Sequence, residues 1–215
     1  MLWPWKNKPA LDDGFYAFSG IVPFYSQRLH EENYATEGFA SIAEAVHWSE
    51  RICGLACLKM AASALLPEHG VPSLKELLDS GLAIGAYRED VGWLHRGLIR
   101  LGGGYGLKGD NEAVGDNLFR IASYIARQRL VIASVTVGFE AGKVYSQKDG
   151  SHYAMPRGGH LVLIYGVTIK DGKVESLTLH HPSSDKDYER PSLVVQASDF
   201  ARSFSTRGNI MYFWK

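Results

Sequence analysis

Cys53-Gly54-Leu55-Ala56-Cys57-Leu58-Lys59-Met60 is the stretch on which the fold turns. It opens a run of small and apolar residues that reaches Leu66 and stops at Pro67, with Leu58, Ala61, Ala62 and Leu65 recurring at helical spacing. Polar Ser49-Glu50-Arg51 precedes it, so the pattern predicts a helix over 53–66 with a cysteine at its edge. A thiol placed there meets free backbone N–H groups and the positive end of the helix dipole, both of which favour a thiolate. Free cysteines are also commonly buried as small hydrophobes. Cys57, one turn further in between Ala56 and Leu58, reads in that second way.

Outward from this helix the chain changes character at about residue 130. Before that point helices are expected over Ile42 to Trp48, over Val91 to Leu101 and over Asn117 to Leu130, and another begins at Leu74. Ser73 with Glu76 three residues on is a capping-box arrangement for that one. The cluster from Gly102 to Gly106 follows a helix instead of preceding one, so it reads as a helix stop and turn, not a phosphate cradle. After residue 130 strand formers dominate: Leu130 to Val137, His160 to Thr168, Ser176 to His180, and Ile210 to Trp214 as a closing strand. Lys170-Asp171-Gly172-Lys173 is a hairpin turn with glycine where a positive φ is wanted. Helices followed by antiparallel strands argue for an α+β fold with one core, and with no repeat or linker the expectation is a single domain over 1–215.

Composition narrows the function classes. The chain has 215 residues, 46% hydrophobic and 21% charged, enough to bury a substantial core. Lys+Arg and Asp+Glu both number 23, and with a net charge of +0 and no polybasic run neither nucleic acid nor an anionic membrane is an expected partner. The two cysteines lie four apart on one helical segment, where a bond closes almost no loop, so a reducing compartment is expected. Met1 to Lys6 lacks a basic region followed by an apolar run, and no stretch approaches the roughly 20 apolar residues of a spanning helix, which reads as cytoplasmic.

Four further positions carry chemistry. His160 follows Arg157-Gly158-Gly159 and heads an apolar strand, the place of a general base or of a satisfied core histidine. His180 and His181 follow the next strand, with Pro182 holding His181 extended, and one of them could orient His160. Gln27 ends the apolar extended segment Val22-Pro23-Phe24-Tyr25-Ser26, where its amide could donate to an oxyanion beside the Cys53 N–H; taken alone it is also an ordinary surface glutamine. Cys53, Cys57, His180 and His181 are metal-ligand types, yet their spacing matches no common zinc site, and neither a metal nor a cofactor is expected.

Taken together these residues resemble a known family. The run from Cys53 to Met60 is similar to the C-G-x-A-C-L-x-M signature of papain-like bacteriocin-leader peptidases and their stand-alone C39-like relatives. Val22 to Gln27 resembles the V-P-Y-x-x-Q segment of those relatives, and Gly158 to Leu163 their G-G-H-x-V-L strand. Gly85 to Tyr87, Gly92 to His95 and Phe200 to Gly208 also look like segments of the stand-alone branch, so the likeness runs over about residues 20–214.

The resemblance implies a papain-like fold in which a central helix packs on an antiparallel sheet. It implies Cys53 as nucleophile, His160 as general base paired with it as an ion pair, Gln27 as oxyanion donor, and a peptide or small amide as substrate. It also implies that the insert from Arg28 to Ser49 folds over one end of the cleft. The chain departs from the family at His181, which stands where Asp or Asn precedes the proline. A neutral imidazole there can accept the N–H of His160 but cannot offset an imidazolium charge, so activity is expected to fall as pH drops through the histidines. An acyl or amide transferase, an amidase, and a peptide-binding module without activity are the alternatives on the same fold.

Overall fold

The computed structural model describes residues 11–146 and 151–215, so the reading of Met1 to Lys6 lies outside the described residues. In chain order the main elements are β1 (Gly14–Ala17), α1 (Ile42–Ser49), α2 (Cys53–Leu65), α3 (Leu74–Ala83), β2 (Tyr87–Arg88), β3 (Gly92–Trp93), α4 (His95–Gly104), β4 (Lys108–Ala113) and α5 (Leu118–Ile125). They continue as β5 (Leu130–Val135), β6 (Val144–Ser146), β7 (His152–Ala154), β8 (His160–Lys170), β9 (Lys173–His181), β10 (Arg190–Gln196), α6 (Ala197–Ser203) and β11 (Asn209–Trp214).

The centre is a seven-stranded sheet in the order β10-β9-β8-β5-β11-β4, with β1 pairing the far half of β8. Every pairing in it is antiparallel. Side chains alternate between its faces. Leu130, Ile132, Leu161, Leu163, Met211 and Phe213 pack with α2, α3 and α4 on one face. Val131, Ala133, Val162, Ile164, Leu177 and Leu179 pack with α5 and α6 on the other.

Helix α2 is the pivot. Every residue from Gly54 to Leu65 is buried, which its apolar sequence permits on all sides. The two polar exceptions are satisfied: Ser63 donates to the Lys59 carbonyl at 2.8 Å, and Lys59 Nζ meets Glu37 Oε2 at 2.6 Å. The insert from Arg28 to Ser49 therefore supplies a counter-charge for the core helix as well as α1. Helix α3 starts with the expected capping box, Glu76 N–H donating to Ser73 Oγ at 3.2 Å and Ser73 N–H to Glu76 Oε2 at 2.7 Å.

Several boundaries differ from the sequence reading. Residues 91–94 belong to the small β2–β3 hairpin, so α4 begins at His95 and runs on through Gly104. Glycine is tolerated there because a Cβ on Gly102 would lie 3.1 Å from Leu58 and 3.2 Å from Phe213; the close approach outweighs helix propensity. Helix α5 stops at Ile125, and Leu130 starts β5. The segment from Val22 to Gln27 joins no ladder. Strands β1, β4 and β10 escape a reading by apolar alternation, since β4 is Lys-Gly-Asp-Asn-Glu-Ala, a charged edge strand. Strand β11 does not close the sheet at its rim but lies inside it, between β5 and β4. The hairpin is as expected, with Asp171 at φ 50° and Gly172 at φ 66°.

At Gly97 the α4 backbone comes so close that a Cβ would sit 2.6 Å from Ala86 Cα. Gly97→Ala is expected to cost about 1–3 kcal/mol, the range of an overpacked core, which thermal unfolding by circular dichroism would measure.

Candidate active site

Cys53 is the first residue of α2, and Ile52, at its N-cap, offers no side chain to the helix amides. The first turn is therefore left with uncommitted N–H groups, in contrast with α1 and α3, which serine caps close. Gly54 lets this turn press inward: a Cβ on it would lie 2.9 Å from Leu98 and 3.0 Å from Leu161. Cys53 itself is half-buried, and removal from water pushes its thiol pKa up, against the pull of the backbone N–H groups of Leu161, Gly54 and Cys53. Cys57 is fully buried, its thiol donates to the Leu161 carbonyl at 3.4 Å, and its pKa lies far above the ordinary value. The two sulfurs thus hold opposite sides of residue 161, at the head of β8.

His160 is the preceding residue. Its Nε2 is buried and without a hydrogen-bond partner, and its ring stacks on that of His181, centroids 4.5 Å apart and planes 28° from parallel. Burial, aided by the neighbouring His181, lowers the His160 pKa to about 3, while a hydrogen bond to the Pro182 carbonyl works the other way. Burial likewise takes His181 to about 4, opposed by its own carbonyl, helped by Arg190 and opposed by the Tyr188 carbonyl. Both shifts favour neutral imidazoles at pH 7, and the raised Cys53 thiol favours its protonated form. No hydrogen bond joins Cys53 to His160 among the described residues.

His181 stands beside His160, as its position suggested, but through its ring face. It does not accept the His160 N–H; its Nε2 accepts from the Gly138 N–H at 3.4 Å. His180 faces the opposite way: its Nδ1 accepts from the Ser192 N–H at 3.0 Å and its Nε2 lies 2.9 Å from the Val22 carbonyl. With Nδ1 accepting, Nε2 carries the proton and donates to Val22, clasping the segment that leads to Gln27. Cys53, Cys57, His180 and His181 are thereby dispersed, and no three potential ligands converge on a metal position among the described residues.

Gln27 is 3% exposed and locked to the last residue of α1, shortly before Cys53. Its Nε2 donates to the Ser49 carbonyl at 2.8 Å and Ser49 Oγ donates to the Gln27 carbonyl at 3.0 Å, while Oε1 has no partner. One amide hydrogen is therefore committed and the second is not. A cavity of about 510 Å³ opens beside Cys53, lined among others by Trp93, His95, Ser134, Leu161 and Asn209. Ser134 and Asn209 escaped the sequence reading because their place depends on strand register; a lone serine in Leu-Val-Ile-Ala-Ser-Val was the available signal. No helix among the described residues is long and apolar enough to cross a membrane.

No protein-family model and no curated protein matches the sequence. Solved structures do resemble it. One put forward as a C39-like peptidase from Bacillus anthracis has 15% identity over 94% of this chain and 98% of its own, at a TM-score of 0.56. Digestive procathepsin L 3 from the larval midgut of Tenebrio molitor has 12% identity, spans 100% of this chain and 73% of its own, and has a TM-score of 0.51. With helix α2 against an antiparallel sheet and a cysteine at the helix start, this chain has the papain-like α+β fold seen in C39-like cysteine peptidases.

Proposed function

We propose that this chain is a cysteine peptidase that hydrolyses a peptide or small amide through a Cys53 thioester. The observation that carries the reading is Cys53 itself, the one half-exposed side chain on an otherwise buried helix, at its uncapped N-terminus and at the mouth of a cavity. The thiol proton passes to His160 as sulfur attacks the carbonyl, and the tetrahedral oxyanion takes the free Gln27 amide hydrogen and the helix N–H groups. His160 then gives the proton to the leaving amine. Water, deprotonated by the same ring, cleaves the thioester and restores the thiol. Because thiol and imidazole start neutral and apart, the hydrogen bond between them forms only with substrate in place, as apo sites often require.

Alkylation tests this reading. A peptidyl chloromethyl ketone, which occupies the substrate site, should modify Cys53 faster than Cys57 at neutral pH, and the rate at Cys53 should fall in a His160→Ala variant. Equal, slow labelling of both cysteines would favour the second reading, a peptide-binding module, which the raised Cys53 thiol and the unpartnered His160 Nε2 support.

The histidines also set the pH response. Their folded pKa values, about 3 and about 4, lie below the unfolded value near 6.5, so protons favour the unfolded chain. Their contribution to stability is fully present above pH 6.5 and is lost progressively as pH falls from there toward 3. Catalysis, needing neutral His160, should keep its kcat/KM from pH 7 to 5 while unfolding temperature already declines. A kcat/KM that halves near pH 6.5 would contradict the assignment of His160 as a buried base.

A further inference from the structure

The face of the sheet toward α2 ends in a row of three side chains on adjacent strands. Leu161 of β8 pairs with Ser134 of β5, and the pairing of Ile210 with Ala133 sets Asn209 of β11 beside Ser134 on its other side. This row floors the cavity of about 510 Å³ that Cys53 borders, and Trp93 and His95 form part of its wall. The indole is fixed by its Nε1–H donating to the Arg51 carbonyl at 2.8 Å.

The polar groups of this floor have unused hydrogen-bonding capacity. Ser134 Oγ accepts from the Gly159 N–H at 3.1 Å, which leaves its own hydrogen to donate. The Asn209 backbone N–H donates to Ser205 Oγ at 3.1 Å, and its side-chain amide makes no hydrogen bond among the described residues. The surroundings are electrically neutral: burial keeps His95 uncharged, and Glu50 and Arg51 at the rim lie 3.6 Å apart and offset each other. A charged group seated here would lose water without gaining a counter-ion, and a purely apolar one would leave the serine and the amide unpaired.

We propose that this cavity is the specificity pocket of the enzyme and receives, from a residue flanking the scissile bond, a bulky side chain with an apolar body and a neutral hydrogen-bonding tip, of the glutamine or tyrosine kind, with Trp93 and Leu161 against the body and Ser134 and Asn209 at the tip. The inference rests on Cys53 being the nucleophile. A pocket that hydrogen-bonds its ligand discriminates against analogues lacking the group far more strongly than one that reads size alone.

The test uses internally quenched fluorogenic peptides carrying Gln, Tyr, Leu, Glu or Gly in turn on either side of the scissile bond, and peptidyl chloromethyl ketones carrying the same residues on the acyl side. For the folded full chain, Gln or Tyr at one position should give at least about a tenfold higher kcat/KM than Leu, Glu or Gly, and faster Cys53 labelling where that position is on the acyl side. Asn209→Leu should invert the ratio of Gln to Leu, and Ser134→Ala should reduce it; as a ratio within one variant it is insensitive to partial unfolding. Wild-type preference for Leu, Glu or Gly, or a ratio unmoved in both variants, overturns the pocket and leaves the peptidase reading standing. No cleavage together with no selective labelling of Cys53 by any ketone overturns both.

Discussion

Cys53→Ala is expected to abolish hydrolysis, by on the order of a thousandfold or more, and to leave the fold standing. No covalent intermediate can form on a methyl group, and the backbone donors around it cannot replace the missing nucleophile. The substitution is structurally mild, because Cys53 is half-buried and Sγ shares its contacts with N–H groups that water can also satisfy. Cys57→Ala is the control. It removes a sulfur from a wholly buried position and the contact to the Leu161 carbonyl, so its effect falls on stability. Steady-state kinetics with far-UV circular dichroism on both variants decides the matter: activity retained in folded Cys53→Ala would sink the assignment.

Glu37→Ala should have the largest effect on stability away from the site, about 3–5 kcal/mol in urea denaturation. Lys59 sits on the buried helix with its side chain 7% exposed, and Glu37 holds it with both oxygens, at 2.7 and 2.6 Å. The same carboxylate accepts from the Leu74 N–H at 2.8 Å at the start of α3, and the ammonium lies 4.4 Å from the centre of the Tyr25 ring. Removing the carboxylate strands a charge and takes the acceptor from the Leu74 N–H at once. A companion Lys59→Met in the same chain removes that charge too, and the double variant should recover most of the loss. If the single variant costs less than about 1 kcal/mol, the pair is not what anchors residues 28–49 to the core.

What the sequence made legible was whatever a local pattern encodes. The apolar run after Cys53, the serine and glutamate of α3 and the Asp171-Gly172 turn each read directly, because helix burial, capping and positive φ are decided by neighbours in the chain. The fold class followed from them. Register was not legible: that Ser134 and Asn209 stand side by side under the cavity depends on three strands far apart in sequence. Ring orientation was not legible either. His180 and His181 are adjacent, yet strand alternation sends one to Val22 and Ser192 and the other to His160 and Gly138.

The interior place of β11 has a consequence for how the chain reaches its native state. Residues 209–214 fill the gap between β5 and β4, and residues 14–17 wait for partners at 166–169. During synthesis, β5 therefore presents an open edge until nearly the whole of this sequence has emerged, and no contiguous amino-terminal portion can assemble the sheet by itself. Such long-range pairing makes folding slow, and the nascent Leu130–Val135 strand is the segment most in need of protection while it waits.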